Sequence, residues 1–349
     1  MNEWRKDPFS DRWVIIADRR ADRPNEFEYQ FQRRSNSSCP FCPGQEHQTP
    51  PPLLTLRDPS SSDTSPWHVR VVPNLYPALR IDAMESNAGC EPSPVCLQRP
   101  AWGIHEVIIE SPRHGDSFLD FSASHASLCL EAWRQRLTTI RADRRFAHAM
   151  VFKNVGPLGG ASLEHAHSQL IAADVEPIER LRQKECIHRW AAMHGECLFC
   201  AVLRQEVHLR ERLIMQSSRF VAFCPFASRF PFLVWILRRD HGTAYEDAEA
   251  GELGEFSECL RVVLRAMKIA LGPVSQNLIL QSTPFDSSAA SHYHWYLELF
   301  PRVTMVAGFE WGSGYFINAI APEKAAQQLR RDTESAGGRS GIFSGEKNW

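Results

Sequence analysis

Hydrophobic residues along the 349-residue chain follow two periodicities, one typical of strands and one typical of helices. Short runs rich in β-branched and aromatic residues predict strands. These runs occupy residues 12–17, 67–73, 104–110, 148–154, 166–173, 219–226, 231–237, 277–282 and 294–300. Apolar residues three and four positions apart predict amphipathic helices around Leu130, Trp133, Leu137 and Ile140 and over 247–271. Residues 43–66 and 83–100 are rich in Pro, Ser and Asp and predict loops.

The order of these signals repeats along the chain. "GIHEVIIESPRH" and "FPFLVWILRRDH" are strand-like and end in histidines 127 residues apart (241 − 114). Each follows a Cys-x-x-Cys pair and precedes a helix, a strand and a His-x-His. We therefore predict an α+β fold of two tandem half-domains, each an antiparallel sheet with a flanking helix. The expected division is 1–174 for the N-terminal half, 175–335 for the C-terminal half, and 336–349 for a poorly ordered tail.

Charge and composition exclude several classes of partner. The net charge is −2 and the pI about 6.7, so no basic footprint predicts binding to nucleic acid or to an anionic membrane. The N-terminus has no apolar signal region, and no run approaches the roughly 20 apolar residues that span a bilayer. We therefore expect a cytoplasmic protein. In that setting the ten cysteines indicate metal ligands or buried thiols rather than disulfides.

Two Cys-x-x-Cys pairs are the first candidate chemistry. Tetrahedral zinc takes four nitrogen or sulfur ligands, and such a pair supplies two thiolates from one tight turn. In the first half, Cys39 and Cys42 are completed by His114 and by either His165 or His167. A four-coordinate site has no open position for substrate, so we expect Zn2+ to be structural.

The second half offers a parallel zinc site. Cys197, Cys200 and His241 are completed by either His292 or His294. Strict spacing favours His292, because 292 − 241 and 165 − 114 both equal 51. The local pattern favours His294, because the strand that follows it matches the strand after the first-half pair. We select His294, which aligns Tyr296 with the second histidine of the first half.

The segment "SLEHAHSQL" places His165, His167 and Gln169 two residues apart. Side chains with this spacing share one face only in an extended strand. If His165 binds metal, His167 is free for chemistry, and a neutral imidazole is a competent nucleophile toward phosphorus. Gln169 can donate an amide hydrogen to a phosphoryl oxygen.

The preceding "KNVGPLGGAS" supports phosphate binding. Gly156, Gly159 and Gly160 allow backbone amides to approach a phosphate closely. Asn154 and Ser162 add side-chain donors. Together with the His-x-His-x-Gln pattern, this loop predicts a phosphoryl-transfer site.

Several motifs in order resemble the galactose-1-phosphate uridylyltransferase family, a branch of the histidine-triad superfamily. The resemblance rests on "CPFCPG", "VRVVPNLYPAL", "SPRH", "KNVGPLGGASLEHAHSQ", "HYHWYLELFPR" and "AGFEWGSGYFIN" and covers roughly residues 4 to 331. It implies two histidine-triad-like halves and a homodimer.

The resemblance also implies a role for individual residues. His167 falls on the nucleophile that takes up the nucleoside monophosphate, and Gln169 on the residue that hydrogen-bonds its phosphate. Cys39, Cys42, His114 and His165 fall on the first metal site. The implied substrate contacts are Arg20 and Arg23 at the diphosphate, Asn74 at the nucleoside, Asn154 and Ser162 at the phosphate beside Gly160, and Glu310 at the sugar hydroxyls.

The implied reaction is a double displacement between UDP-glucose and galactose 1-phosphate through a uridylyl-His167 intermediate. Two residues depart from the pattern of the best-known members. Ala166 stands where they have proline, and because alanine keeps the strand we expect the chemistry to survive. Thr304 stands where they have a sugar-contacting lysine, which opens the choice of sugar and base. The segment "GFEWGSGYFIN" is similar to the ADP-glucose phosphorylase branch. The alternatives are an ADP-sugar phosphorylase, a histidine-triad nucleotide hydrolase and, from another class, a zinc-binding interaction module.

Overall fold

The structure is a computed structural model of the chain. It describes residues 2–18, 20, 39–60, 62, 65–83, 95–96, 98–242, 244–285 and 292–335. Its strands are β1 Glu3–Lys6, β2 Trp13–Ile16, β3 Leu54–Leu56, β4 Val69–Pro73, β5 Gly103–Ile109, β6 His148–Val155, β7 His167–Ala173, β8 Leu213–Gln216, β9 Phe220–Phe223, β10 Val234–Arg238, β11 Gln276–Gln281, β12 Tyr296–Pro301 and β13 Phe316–Asn318. Its helices are α1 Ala123–Arg141, α2 Ile178–His194, α3 Leu198–Leu209, α4 Ala250–Leu271, α5 Gly308–Ser313 and α6 Pro322–Ser335.

Ten of these strands form one antiparallel sheet in the order β3-β4-β5-β7-β6-β11-β12-β10-β9-β8. From its outer edge inward, the first half reads β3-β4-β5-β7-β6 and the second half reads β8-β9-β10-β12-β11. In both halves the five strands therefore have the same order relative to the chain. In each half the long helix, α1 or α4, lies between the third and fourth strands of the chain order. The fold is therefore α+β with two tandem histidine-triad-like halves, which confirms the predicted fold class.

The halves are joined rather than separate. Strand β6 of the first half pairs with β11 of the second, from Gln276 opposite Val155 to Leu280 opposite Val151. The predicted separate sheets are thus one continuous sheet. Strands β6 and β11 each lie at the edge of their own half's sheet, and by pairing with each other they satisfy backbone groups that would otherwise be unpaired. The division at residue 174 stays a prediction.

One face of the sheet is covered by α1 and α4, which also pack on each other. Ser122 caps α1 by accepting the backbone N–H of His125. The predicted apolar stripe of this helix is confirmed, with Leu130, Leu137 and Trp133 each at most 1% exposed. These side chains belong to one core that includes apolar residues of both halves.

All nine predicted strands are present, with ends shifted by at most three residues, and the second predicted helix is α4. The loop predicted over 43–66 is wrong at Leu54–Leu56, where β3 pairs with β4 at the sheet edge. Because β3 has only three residues, its pattern is too short to detect. A second sheet of β1, β2 and β13 was not predicted, and its β13 runs parallel to β2. Within the described part of the chain, no helix is long and apolar enough to cross a membrane.

Candidate active site and metal centres

His167 begins strand β7 on the sheet face away from α1. The next residue, Ser168, points to the opposite face, where its hydroxyl accepts the Trp133 indole N–H at 2.8 Å. His167 Nδ1 lies 2.8 Å from the backbone carbonyl of His165 and donates to it, because a carbonyl can only accept. The neutral ring therefore carries its lone pair on Nε2, which accepts no hydrogen bond from any residue that the structure describes. Burial lowers the pKa of His167, which keeps the imidazole neutral, while 7% of the residue stays exposed.

Gln169 lies on the same face, two residues further along β7. Its Oε1 is 2.9 Å from Nε2 of His105 on the neighbouring strand β5. Asn74, at the end of β4, brings its amide nitrogen within 3.1 Å of the same His105 atom. The sheet thus aligns the predicted nucleoside loop, His105 and Gln169 beside the candidate nucleophile.

A buried ion pair supports His167 from behind. Lys153 donates to the Glu110 carboxylate and, at 3.2 Å, to the His167 backbone carbonyl. The Lys153 and Glu110 side chains are only 6% and 0% exposed. Lys153 thus connects the Glu110 carboxylate to the backbone of β7 at His167.

The glycine-rich turn after β6 is held tightly. Gly156 and Gly160 have φ of 72° and 83°, a region that favours glycine. A Cβ on Gly159 would lie 2.8 Å from the Gln276 carbonyl oxygen. Asn154 precedes the turn, and its Oδ1 accepts the Asn277 amide at 2.8 Å. The turn therefore depends on β11 of the second half for its shape.

Four predicted zinc ligands of the first half converge. The ligand atoms of Cys39, Cys42, His114 and His165 all lie within 4.8 Å of one another. His165 donates its Nε2–H to the Ser111 carbonyl at 2.7 Å, which turns Nδ1 toward the sulfurs. Burial lowers the pKa of His165 to about 4, so this nitrogen is an unprotonated ligand.

The distances of this first cluster fit a tetrahedral zinc ion. The sulfur-to-nitrogen distances are 3.6 Å for Cys39–His165, 3.6 Å for Cys42–His165 and 3.5 Å for Cys42–His114. Bonds of about 2.3 Å to sulfur and about 2.1 Å to nitrogen at tetrahedral angles give about 3.6 Å. Burial and the adjacent Cys39 raise the pKa of Cys42 to about 11, and a divalent cation would offset that cost of forming the thiolate.

The second cluster is tighter. It contains Cys197, Cys200, His241 and His294. His294 Nε2 is 2.9 Å from His241 Nδ1 and 3.2 Å from Cys200 Sγ, whereas tetrahedral zinc gives about 3.4 Å and about 3.6 Å. His292 instead offers its backbone carbonyl, which lies 3.1 Å from Cys197 Sγ. A metal ion would have to move these ligands apart by a few tenths of an ångström.

In the described part of the second half, the face that corresponds to the His167 face is covered. Tyr296 begins β12 as His167 begins β7, but its hydroxyl accepts the Gln183 amide of α2 at 3.1 Å. Glu298, two residues on, accepts from Arg229 at 2.9 Å. The helices α2 and α3 were not predicted, and with them packed on this face the second half is closed.

Other predicted substrate residues are exposed, are bonded within their own segment, or lie outside the described residues. Arg20 and Ser162 are exposed, and Arg23 lies outside the described residues. Glu310 accepts the Ala307 N–H at 3.1 Å and so caps α5. Among the residues the structure describes, Arg20 and Glu310 have no hydrogen bond to the residues around His167.

Sequence reasoning missed three residues that contact the site, namely His105, Lys153 and Asn277. Alternation along β5 would have placed His105 on the face of Val107, which pairs with Gln169. No sequence signal indicated Lys153 or Asn277, because each acts through a strand pairing that joins distant segments.

Known proteins are similar to this chain over most of its length. The family model described as "Galactose-1-phosphate uridyl transferase, N-terminal domain" matches residues 1–177, and one described as "Domain of unknown function (DUF4921)" matches residues 122–341. ADP-glucose phosphorylase from Arabidopsis thaliana is 32% identical over 336 residues, which cover 94% of this chain and 92% of that protein. Galactose-1-phosphate uridylyltransferase from Thermotoga maritima is 27% identical, with coverage of 95% and 98%.

A solved structure agrees with these sequence comparisons. The Arabidopsis thaliana ADP-glucose phosphorylase with bound ADP-glucose superposes with a TM-score of 0.81 at 30% identity, covering 95% of this chain and 98% of that one. The relatives support hexose-1-phosphate nucleotidyl transfer and leave the specific substrate open. The chain belongs to the galactose-1-phosphate uridylyltransferase family, with similarity to its ADP-glucose phosphorylase members.

Proposed function

We propose that the protein transfers a nucleoside monophosphate from a nucleoside-diphosphate sugar to His167 and then to a second phosphate-bearing acceptor. The observation that carries the proposal is the His167 ring, whose Nδ1–H is donated to a backbone carbonyl so that Nε2 is a neutral nucleophile. Gln169, Asn154 and the glycine turn surround it with groups that can donate to phosphoryl oxygens.

In the first step Nε2 of His167 attacks the α-phosphorus. A phosphorus–nitrogen bond forms, and the bond from phosphorus to the bridging oxygen breaks. The sugar 1-phosphate leaves with that electron pair. In the second step an acceptor phosphate oxygen attacks the same phosphorus, the phosphorus–nitrogen bond breaks, and the imidazole lone pair returns. Amide donors stabilise the charge on the equatorial oxygens, an effect usually worth a few kcal/mol per donor.

Two donor and acceptor pairs fit this chemistry. The sequence motifs predict uridylyl transfer from UDP-glucose to galactose 1-phosphate. A second candidate, adenylyl transfer from ADP-glucose to inorganic phosphate, is favoured by the 32% identity to ADP-glucose phosphorylase and by Thr304 in place of the sugar-contacting lysine. Of the two, we expect the adenylyl donor to react faster.

Zinc supplies a structural cross-link when bound. Cys39, Cys42, His114 and His165 would hold it in the first half. His165 is two residues before His167, and its backbone carbonyl accepts the hydrogen bond from His167 Nδ1–H. An ion bound at this site would therefore fix the backbone position from which the His167 ring is oriented. Cys197, Cys200, His241 and His294 would hold a second ion in the other half.

We also propose that the protein is a homodimer. Trp4, Trp13 and Tyr315 form one edge-packed aromatic group at the three-stranded sheet while staying 52%, 40% and 39% exposed. Exposed aromatic groups of this kind are typical of protein interfaces. Sedimentation should give a dimer for the native chain and a monomer for Trp4→Glu, and a monomeric native chain would contradict the proposal.

The central test is covalent labelling with ADP-glucose or UDP-glucose carrying 32P at the α-phosphate. We expect acid-labile label on the native protein and none on His167→Ala, with full labelling of the exposed-site control His208→Ala. Adding inorganic phosphate or galactose 1-phosphate should discharge the label into ADP or UDP-galactose. Discharge into water alone would indicate a hydrolase, and absence of label from both donors would overturn the proposal.

A further inference from the structure

The orientation of the Gln169 carboxamide is determined by a backbone group two hydrogen bonds away. The backbone N–H of Ala78 lies 3.1 Å from His105 Nδ1, which must therefore be unprotonated. The neutral ring then carries its proton on Nε2. That proton is donated over 2.9 Å to Gln169, so the atom of Gln169 that faces His105 is the carbonyl oxygen.

The same reasoning excludes Asn74 as an acceptor for this proton. Asn74 Oδ1 accepts the backbone N–H of Tyr76 at 2.9 Å, so its amide nitrogen is the atom near His105. Two donors do not bond each other. The Nε2–H of His105 therefore donates to Gln169, and the Asn74 amide lies nearby without a hydrogen bond to this ring nitrogen.

The Asn154 carboxamide is oriented by an equivalent chain that begins on the glycine turn. The Gly159 carbonyl can only accept, and it lies 2.7 Å from the Asn277 side chain. The atom there is consequently Nδ2, whose second hydrogen is donated to Asn154 over 2.8 Å. The atom of Asn154 that faces Asn277 is thus its oxygen.

Both oriented carboxamides lie on the strand of His167 or on its neighbour. Gln169 is two residues from His167 on β7. The β6–β7 pairing ends at Phe152 opposite Gln169, and the same register continued by two residues brings Asn154 opposite His167. Each carboxamide has its oxygen engaged by a group behind it. Each therefore presents N–H rather than C=O to a ligand at Nε2.

We propose that His105 and Asn277 are positioning residues that lock Gln169 and Asn154 with their amide hydrogens toward the transferred phosphoryl group. This inference rests on the proposed function and assigns the orientation of its donors. Without the lock, a carboxamide that rotates by half a turn brings its oxygen to the anionic phosphoryl oxygens and repels them. The affinity for the sugar nucleotide should change little, because in this inference each positioning residue acts only through its carboxamide.

The kinetic test compares two replacements of His105. His105→Gln keeps a donor near the Nε2 position, whereas His105→Asn reproduces only the Nδ1 side. We expect His105→Asn to slow formation of the nucleotidyl enzyme about tenfold or more in single turnover, with the Kd for sugar nucleotide changed less than about threefold. His105→Gln should stay within about threefold of the native rate. Equal losses in both variants would contradict a positioning role.

Double variants test whether each residue acts through its carboxamide. His105→Asn should have no further effect on the rate in a Gln169→Ala background, and Asn277→Ser none in an Asn154→Ala background. Serine is chosen at position 277 because, unlike the isosteric aspartate, it adds no charge at the seam between the two halves. Additive losses would mean that His105 and Asn277 act by another route and would overturn the inference.

A measurement independent of turnover uses protein labelled with 15N-histidine. Two-bond 1H–15N correlations should find His105, assigned by the signal missing in His105→Gln, as the Nε2–H tautomer. An Nδ1–H tautomer overturns the inference whether or not the enzyme transfers nucleotide. The expected tautomer combined with no label from either sugar nucleotide overturns the proposed function, and the inference with it.

Discussion

Asn154 and Asn277 face each other across the seam between β6 and β11, and their carboxamides are joined by a 2.8 Å hydrogen bond. Asn154 belongs to the half that carries the candidate nucleophile, and Asn277 to the half that has none. The same Asn277 amide also reaches the Gly159 carbonyl. The second half therefore contributes to the active site by orienting groups of the first, although its own equivalent face is closed.

Removal of the first metal site should destabilise the protein. Cys39→Ser leaves three ligands, so we expect loss of about one zinc per chain by elemental analysis and a decrease in the free energy of unfolding of at least about 3 kcal/mol. The exposed Cys96→Ser is the matched control and should change neither quantity. Unchanged zinc content in Cys39→Ser would contradict this ligand assignment.

Removing one charge of the Lys153–Glu110 pair should lower the free energy of unfolding more than removing both charges does. Lys153→Met leaves Glu110 charged at 0% exposure, which should cost roughly 3 to 5 kcal/mol in urea unfolding. The double variant Lys153→Met/Glu110→Gln should recover most of that loss. The exposed pair of Arg145 and Asp143 is the control, and Arg145→Met should destabilise the protein far less than Lys153→Met does.

A methyl group at Gly159 should disrupt the phosphate turn. Because the added Cβ would lie 2.8 Å from the Gln276 carbonyl oxygen, Gly159→Ala must shift backbone on one side of the seam. We expect destabilisation of about 1 to 3 kcal/mol and a slower labelling rate. Gly312→Ala adds a Cβ in α5 with nothing beyond its own helix within 4 Å, so it should neither destabilise the protein nor slow labelling. Equal behaviour of the two variants would contradict the close approach.

Stability should depend on His148 in mildly acidic solution. Burial lowers the pKa of His148 to about 3, with a smaller contribution from Arg180, so the unfolded chain binds its proton more tightly than the folded one. Its contribution is present above the unfolded pKa of about 6.5 and is lost as the pH falls below that value, by up to about 1.4 kcal/mol per pH unit. His148→Leu should make the loss of stability between pH 6.5 and 5 shallower, which thermal melts would detect. His208→Leu should not.

Much of the fold was predictable from local pattern. The strand and helix periods located nine strands and both long helices, because a one-sided core imposes its period on the sequence. The repeated order of motifs predicted two histidine-triad-like halves. Strands β1, β3, β8 and β13 and helices α2, α3, α5 and α6 were missed. The four strands have only three or four residues each and are too short to show a period. Helices α2 and α3 cover a sheet face whose need for cover is visible only after the sheet is assembled.

The metal ligands and the candidate nucleophile were also predictable from short sequence motifs. Cys-x-x-Cys pairs and a His-x-His-x-Gln strand carry their ligands and nucleophile within a few residues, so type and spacing alone suggested them. Spacing could not decide between His292 and His294. The structure places the imidazole of His294 and the backbone carbonyl of His292 at the second cluster, because the side-chain direction depends on how the chain enters β12.

The sequence by itself determined the fold class, the duplication and the residues offered for chemistry, since each follows from periodicity or short-range spacing. Only the tertiary structure decided which face is open and which way the donors point. The ring of His167 is oriented by its own strand, but Gln169 depends on a histidine of β5 and Asn154 on an asparagine of β11. Those bonds join residues 64 and 123 positions apart, and strand pairing across a folded sheet is what brings them within hydrogen-bonding distance.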